Sequence, residues 1–376
     1  METKKKVEAL RHEIDTIDRE IVRLLDRRAE VGSVLGKVKL EGRMHSYDPT
    51  REGEILERLR TRSQGIFPRS AIDSVFREII SACRALQAPL SVSYLGPPGS
   101  YCQLACLRQF GRSIWSVPKE RIQDIFRSVE TAEVTFGVVP IENSNEGAVS
   151  LTSDLLMESE AKVCGEILLR VSHALLSKKW RLGEIRKVYS HPQALGQCRG
   201  WLSKNLSSAR LVETSSTAKA AQLAAREEGT GAIASPLAAG IYGLRPLASE
   251  IEDYRNNFTR FFILGREDVA RTGKDKTSLV FSIPHKPGFL SKALSPFAER
   301  KINLTRIESR PLKNNPWQYF FFVDLEGHET DSKVQRAVRE LEKRAQWVRL
   351  LGSYPRGHCF EEKGIPMKKA PVEDHR

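Results

Sequence analysis

The chain has 376 residues, 40% of them hydrophobic, with 60 lysines and arginines against 47 acidic residues and a net charge of +13. That length exceeds one ordinary core and implies two or three domains, while the positive balance admits nucleic acid, an anionic surface or small anionic substrates. No apolar run reaches membrane-spanning length, residues 1–11 show no secretory or transit pattern, and six scattered cysteines (Cys83, Cys102, Cys106, Cys164, Cys198, Cys359) without a Cys-x-x-Cys pair read as reduced thiols of a cytoplasmic protein with no metal centre. Basic residues are spread along the chain, and neither a DNA-reading motif nor an aromatic stacking platform accompanies them.

The first forty residues carry an apolar stripe at three- and four-residue spacing: Val7, Leu10, Ile14, Ile17, Ile21, Leu24, Val31, Leu35, Val38. The spacing predicts a helix over residues 5–40, roughly 50 Å long and packed lengthwise on another helix. Arg28 stands on that stripe. A guanidinium on a core face demands an anion, because burying it unpaired costs several kcal/mol. Lys39 projects about 20° past three full turns from Arg28 and roughly 16 Å along the axis, so both cations can close on one small polyanion. Arg11 points about 100° away from Arg28 and suits a site on a second, paired helix. A seam arginine also serves as a register pin, and the helix alone leaves the two readings open. Gly32 and Gly36, each costing about 1 kcal/mol in a helix, mark a close approach on their side.

Asp48-Pro49 reads as an N-cap and first-turn proline opening a helix to Arg62. Pro68 opens a third helix, whose apolar face (Ile72, Val75, Phe76, Ile79, Ile80, Cys83) continues to the amide Gln87. Ala88-Pro89 closes a helical region, 1–89. Over 90–268, short strands such as 92–95, 136–140 and 188–190 meet glycine- or proline-containing turns and then helical stretches, an α/β pattern. Residues 274–355 read strand 278–283, helix 288–300, strands 303–309 and 318–325, helix 331–344 and strand 348–352, the ferredoxin-like βαββαβ order. Residues 356–376 lack periodicity and read as a flexible tail.

Arg11, Arg28, Lys39, Asp48, Glu52 and Gln87 in a three-helix region resemble the all-helical class of chorismate mutases, with Cys83 at a position where relatives can carry serine. The resemblance implies an intertwined dimer that rearranges chorismate, a dicarboxylate, to prephenate inside the bundle. Such a rearrangement needs no nucleophile. The protein holds a compact conformer and stabilises charge growing on the ether oxygen. On this resemblance Arg28, with Arg11 of the partner subunit, clamps the carboxylates. Lys39 and Gln87 donate to the ether oxygen, and Glu52 with Asp48 receives the hydroxyl, Asp48 being otherwise a plain helix cap. A thiol at Cys83 is a weaker donor than a serine hydroxyl.

Five signatures then follow in order: Gly96-Pro97-Pro98-Gly99-Ser100-Tyr101, Pro140-Ile141-Glu142-Asn143-Ser144 with Gly147, Ser190-His191-Pro192-Gln193, Thr214-Ser215-Ser216-Thr217-Ala218 and Asn257-Phe258-Thr259-Arg260-Phe261. Singly each is ordinary turn or cap chemistry. In series they resemble prephenate dehydratase over nearly the whole stretch. The resemblance implies two α/β lobes, like periplasmic solute-binding proteins, closing on a cleft whose hydroxyls and backbone N–H groups suit a dicarboxylate. Prephenate becomes phenylpyruvate by losing carbon dioxide and the ring hydroxyl. The family's threonine, here Thr259, assists that departure as a positioned donor that needs neighbours, since a free hydroxyl is a weak acid. Arg260 is expected to grip a carboxylate and Phe261 to keep the ring pocket apolar. Ser100, Glu142, Asn143, Ser144 and Gln193 are expected to bind substrate, Glu142 alternatively tying the two lobes together, and His191 reads as structural.

Glu308-Ser309-Arg310-Pro311 and Gly288-Phe289-Leu290 resemble the phenylalanine-binding signatures of the ACT domains of dehydratases. This implies an effector site at Gly288, Leu290, Glu308, Ser309 and Arg310, paired across a dimer, narrowed by Phe289 where a small residue is common. The chain therefore reads as multidomain: an all-α three-helix chorismate mutase domain (intertwined dimer), an α/β two-lobed periplasmic-binding-protein-like dehydratase domain and an α+β ferredoxin-like ACT domain. The expectation is a cytoplasmic bifunctional enzyme of phenylalanine synthesis, a homodimer or higher homo-oligomer. Its substrates are chorismate and prephenate and its inhibitor L-phenylalanine, with no metal or organic cofactor and no nucleic-acid or membrane partner. A mutase fused to prephenate dehydrogenase would need a nicotinamide site, and no Gly-x-Gly-x-x-Gly follows a strand. A ligand-sensing regulator with the same cleft would not need Thr259 as a donor.

Overall fold

The computed structural model describes residues 1–42, 47–62, 65–311, 319–357 and 359–360. It divides into two compact units, Met1–Ser91 with Phe110–Trp115, and Val92–Gln109 with the chain from Ser116 onward.

The first unit is built on α1 (Glu2–Glu41), α2 (Pro49–Arg62) and α3 (Arg69–Ala85). Helix α1 buries none of its residues, and its apolar stripe from Val7 to Val38 is exposed along its length. Its close neighbour at the two glycines is α3 and the turn that follows. A Cβ on Gly36 would stand 2.6 Å from Gln87 Cγ, and one on Gly32 would touch Cys83 and Gln87 at 3.7 Å. Helix α2 spans the residues its cap and proline predict, and Arg60 holds it to α3 through Asp73 at 2.5 Å. Helix α3 stops at Ala85, so Gln87 lies in the following turn, its N–H on the Arg84 carbonyl at 2.9 Å.

In the second unit, β1 (Ser91–Leu95), α4 (Tyr101–Phe110), β2 (Trp115–Lys119), α5 (Ile122–Glu130), β3 (Phe136–Asn143), β4 (Gly147–Ala148), α6 (Ser150–Glu158) and β5 (Lys162–Arg170) lay down a first lobe. The chain crosses to a second lobe for β6 (Ala174–Ser177), β7 (Lys187–Ser190), α7 (Pro192–Gln197), α8 (Arg199–Asn205), β8 (Arg210–Glu213), α9 (Thr217–Ala224), β9 (Thr230–Ala234), α10 (Leu237–Tyr242) and β10 (Arg245–Ala248). It returns as β11 (Phe258–Gly265), which enters the first sheet between β3 and β5 and runs antiparallel to both. The third domain follows as β12 (Asp275–Ser282), α11 (Phe289–Glu299), β13 (Leu304–Pro311), β14 (Tyr319–Glu326), α12 (Ser332–Glu342) and β15 (Trp347–Pro355). This is the βαββαβ order read from the sequence, closed as an antiparallel sheet β13-β14-β12-β15.

Helix α5 shows why these elements pack as they do: Ile122, Ile125, Phe126 and Val129 recur at helical spacing, and all are buried. They share one core with Phe262 of β11 and with Val280, Phe322 and Tyr354 of the third domain, so the third domain is fused to the first lobe through apolar contact. In the second lobe small side chains (Ala220, Ala221, Ala224, Ala232, Ala234) bring α9 close to its sheet, ordered β10-β6-β9-β7-β8.

The expected tail is corrected at its start. Arg356 donates its N–H to the Lys274 carbonyl at 2.9 Å, and β16 (Cys359–Phe360) pairs in parallel with Leu168 and Leu169 of β5. The first sheet thus runs β16-β5-β11-β3-β1-β2 with β4 beside β3. Residues 361–376 lie outside the described residues. Among the described residues no helix is long and apolar enough to cross a membrane, and all six cysteines are free thiols.

Candidate functional site

In the first unit, Arg28, Gly32, Gly36 and Lys39 lie at successive positions along one face of α1, and the glycines show that this face meets Cys83 and Gln87. Arg28 is half-buried, and its guanidinium donates to the Ile79 carbonyl at 3.5 Å. Arg11 is exposed. Asp48 accepts from the Arg51 N–H at 2.9 Å, so it caps α2. Glu52 is ion-paired with Arg84, a buried residue that the sequence reading missed, whose other nitrogen donates to the Phe110 carbonyl at 2.6 Å and whose guanidinium lies 5.2 Å from the centre of the Tyr47 ring. Burial lifts the Glu52 carboxyl above its ordinary value, and the Arg84 guanidinium opposes that lift.

The second unit assembles Thr259 at the start of β11 opposite Asn143 at the end of β3. Asn143 Oδ1 accepts the N–H groups of Asn145 at 2.9 Å and Glu146 at 3.2 Å, which fixes the orientation of its amide. Its Nδ2 therefore donates to Asn257 Oδ1 and to Thr259 Oγ1, both at 2.9 Å. The orientation propagates. Asn257 Nδ2 donates to Gln197 Oε1 at 2.9 Å, which leaves His173 Nε2, at 2.9 Å from the same oxygen, as a donor too. Burial pushes His173 below its usual pKa, which favours the neutral ring protonated at Nε2, with Tyr101 OH at 2.8 Å from Nδ1. A hydrogen-bonded chain thus crosses from Thr259 to the second lobe. Of its members the sequence reading assigned roles to Asn143 and Thr259 alone. Asn257 and Tyr101 stand unassigned within quoted motifs, and Gln197 and His173 come from segments with no local signal.

Other expected residues take different places. Ser144 braces the site: its hydroxyl accepts the Phe258 N–H at 3.0 Å and donates to the Asn256 carbonyl at 3.1 Å. Ser100 caps α4, its hydroxyl accepting the Gln103 N–H at 3.3 Å and donating to the Leu95 carbonyl at 2.9 Å, and Phe261 is fully buried between Pro140 and Ile167 of the flanking strands. Gln193 is exposed in the first turn of α7, while His191 caps that helix, as a structural residue should. Glu142 lies 3.9 Å from Arg260 and 3.8 Å from Arg306 of β13, so it ties the first lobe to the third domain rather than lobe to lobe.

Arg260 requires the largest correction. Its guanidinium is buried and engaged by Glu166, Asp324 and Tyr354, which leaves it no free edge for a substrate carboxylate. Its expected grip fails because it faces the third domain while Thr259, its neighbour, faces Asn143.

The third domain holds a cavity of about 360 Å³ lined by Ile283, His285, Gly288, Leu290, Tyr319 and Phe321, among others. Gly288, with φ 78°, turns the chain there to open α11 in a conformation that favours glycine. Glu308 and Arg310 do not line this cavity. On β13 they face α6: Glu308 pairs with Arg306 and lies 3.5 Å from Ser153, and Arg310 holds Asp154 at 2.8 Å, its buried Nε having no hydrogen-bond partner among the described residues. Ser309, between them, is exposed and pairs with Phe321. Within one chain, Glu308 and Arg310 thus stand away from the half of the expected effector site at Gly288 and Leu290, and Ser309 is the cross-strand neighbour of Phe321, which lines that cavity.

The prephenate dehydratase family model matches residues 92–269, type II chorismate mutase residues 10–88 and the ACT domain residues 277–343. The bifunctional chorismate mutase/prephenate dehydratase of Aquifex aeolicus is 45% identical over 351 residues, covering 92% of this chain and 97% of that protein. Its counterpart in Neisseria gonorrhoeae is 43% identical over 348 residues, covering 92% and 96%. The crystal structure of a prephenate dehydratase from Arthrobacter aurescens in complex with L-Phe superposes with a TM-score of 0.66 at 35% identity, covering 71% of this chain and 90% of that one.

Proposed function

The chain belongs to the bifunctional chorismate mutase/prephenate dehydratase family, and from that premise we propose how its own side chains carry the two reactions. It is an enzyme that rearranges chorismate to prephenate and converts prephenate to phenylpyruvate, on the route to phenylalanine.

In the dehydratase, Thr259 donates to the departing ring hydroxyl. The observation that carries this assignment is the direction of the Asn143 bond: Thr259 Oγ1 accepts from an amide whose orientation two backbone N–H groups fix, so its own proton is left for the cleft. As the carboxylate carbon leaves as carbon dioxide, its bonding pair enters the ring and expels the hydroxyl oxygen, which departs as water once protonated. A donor at that oxygen stabilises the charge as it develops. Thr259→Ala should abolish phenylpyruvate formation while chorismate consumption continues, measured separately on the pure protein. Retained phenylpyruvate formation would refute the assignment.

In the mutase, Arg28, Lys39, Cys83 and Gln87 face one site between α1 and α3, with Glu52 held by Arg84. The exposed apolar stripe of α1 is the surface on which a second copy pairs, bringing Arg11 of the partner subunit to this site. The third domain binds L-phenylalanine and feedback inhibits. The cavity at Gly288 and Leu290 supplies one wall, and β13 of the partner subunit the other. The free thiols suit the reducing cytoplasm.

A further inference from the structure

Thr259 and Arg260 are consecutive on β11, and a strand sends consecutive side chains to opposite faces. Thr259 meets Asn143. Arg260 enters the seam between the first lobe and the third domain. There Nε donates to Glu166 at 2.7 Å, one terminal nitrogen holds Glu166 at 2.6 Å and donates to Tyr354 OH at 3.2 Å, and the other holds Asp324 at 2.5 Å. Glu166 also binds Lys276 at 2.8 Å and the Gly357 N–H at 2.9 Å, and Asp324 accepts from Ser278 Oγ at 2.5 Å. The side chains of Glu166 and Asp324 are 0% and 2% exposed. Two cations and two anions therefore neutralise one another in a site shielded from solvent.

We propose that Asp324, a residue of the third domain, is a positioning residue for the dehydratase reaction and acts on Thr259 through Arg260. The proposal rests on the assignment of Thr259 as the donor. The ladder between β11 and β5 is regular from Phe258 to Ile263, whereas the ladder between β11 and β3, the strand that carries Asn143, is irregular between Arg260 and Phe261, one step beyond Thr259. An irregularity of that kind lets a strand bend away from one neighbour, so pairing with β3 does not by itself fix how Thr259 meets Asn143. A guanidinium held on several edges by buried carboxylates does fix it, because its fork is planar and rigid. A reacting group displaced by about 1 Å costs on the order of 100-fold in rate. Asp324 lies on β14, outside the sheet that carries Thr259, so the dehydratase centre is aimed from another domain.

Asp324→Asn keeps the volume and removes the charge. In the full-length chain the kcat for prephenate should fall about 10- to 100-fold with KM within about threefold, chorismate turnover should be unchanged, and Asp324→Glu should recover part of the loss. A lowered melting temperature with kcat within about twofold of wild type would be the mark of a merely structural contact, and it would overturn the proposal. So would a raised KM at unchanged kcat, the mark of a lost carboxylate clamp. Should Asp324→Asn fail to fold, Tyr354→Phe removes a single hydrogen bond from the same guanidinium. It should lower kcat several-fold at constant KM, and an unchanged kcat there overturns the proposal equally. Thr259→Ala in the same assay separates the two levels. Activity retained in that variant defeats the donor assignment, whereas activity lost there and kept in Asp324→Asn defeats only the positioning role.

Discussion

Replacing Asn143 with aspartate changes one NH2 into one oxygen, yet the bonds around it predict a reversal of the proton that matters. The aspartate keeps an acceptor for the Asn145 and Glu146 N–H groups, so the turn after β3 persists. Its second oxygen replaces the donor that now lies 2.9 Å from both Asn257 Oδ1 and Thr259 Oγ1. A carboxylate cannot donate. Thr259 must then give its own proton to the introduced carboxylate, which turns it away from the departing hydroxyl. Withdrawing one preorganised donor from a developing anion costs about 2.7–4 kcal/mol, or about 10²–10³ in kcat. The buried Asn257 oxygen left without its donor adds a stability loss of about 1–3 kcal/mol, visible in denaturant unfolding. The assay is phenylpyruvate formation from prephenate under saturating substrate, with chorismate consumption as the internal control. Asn143→Ala, which removes the aim without reversing it, should be less damaging than Asn143→Asp despite the larger truncation. An Asn143→Asp enzyme within about threefold of wild type, or one better than Asn143→Ala, would refute the assigned direction of this bond.

The remaining predictions concern the mutase half. Ile17→Asp places a charge on the exposed stripe of α1 and should shift the chain to monomer by light scattering, abolishing mutase turnover because Arg11 of the partner subunit no longer arrives. A variant that stays oligomeric and active would remove α1 from the interface. Arg84→Met should move the acid limb of the mutase pH profile upward. The Glu52 carboxyl already lies above its ordinary value because burial outweighs the opposing guanidinium, so losing that guanidinium raises it further, and if ionised Glu52 receives the substrate hydroxyl, as the resemblance implies, that form is lost at a higher pH. A limb that is unmoved or shifted to lower pH would show that Glu52 does not titrate in the reaction.

How much of the fold was legible follows from how local each signal is. The start of α2 matches the reading because Asp48 and Pro49 state it in adjacent residues, and the third domain's order matches because each of its elements declares its own period. Gly32 and Gly36 announced a close approach, but the identity of the neighbour, Gln87, depends on how the chain folds back after α2. Cys359 and Phe360 read as tail because two residues carry no period. Only their partners in β5, nearly two hundred residues earlier, make them a strand.

At the site the limits are of the same kind, with one exception that sequence logic covers. Gln197 joins Thr259 through Asn257 only because the second lobe brings it there, with His173 and Tyr101 behind it, and no spacing encodes that. Arg260 and Asn257 are different. In an extended segment Asn257 and Thr259 share one face and Arg260 takes the other, so alternation alone assigns the asparagine to the threonine's network and sends the arginine elsewhere. The same rule reads β13. Arg306, Glu308 and Arg310 share a face, and that face meets Glu142, Ser153 and Asp154 of the first lobe, while Ser309 stands on the opposite side. The charges of the effector signature are therefore spent on the dehydratase lobe within their own chain. What a bound effector can meet on β13 is its other face, so occupancy there reaches the dehydratase through the strand itself rather than through any charge it shares with the ligand.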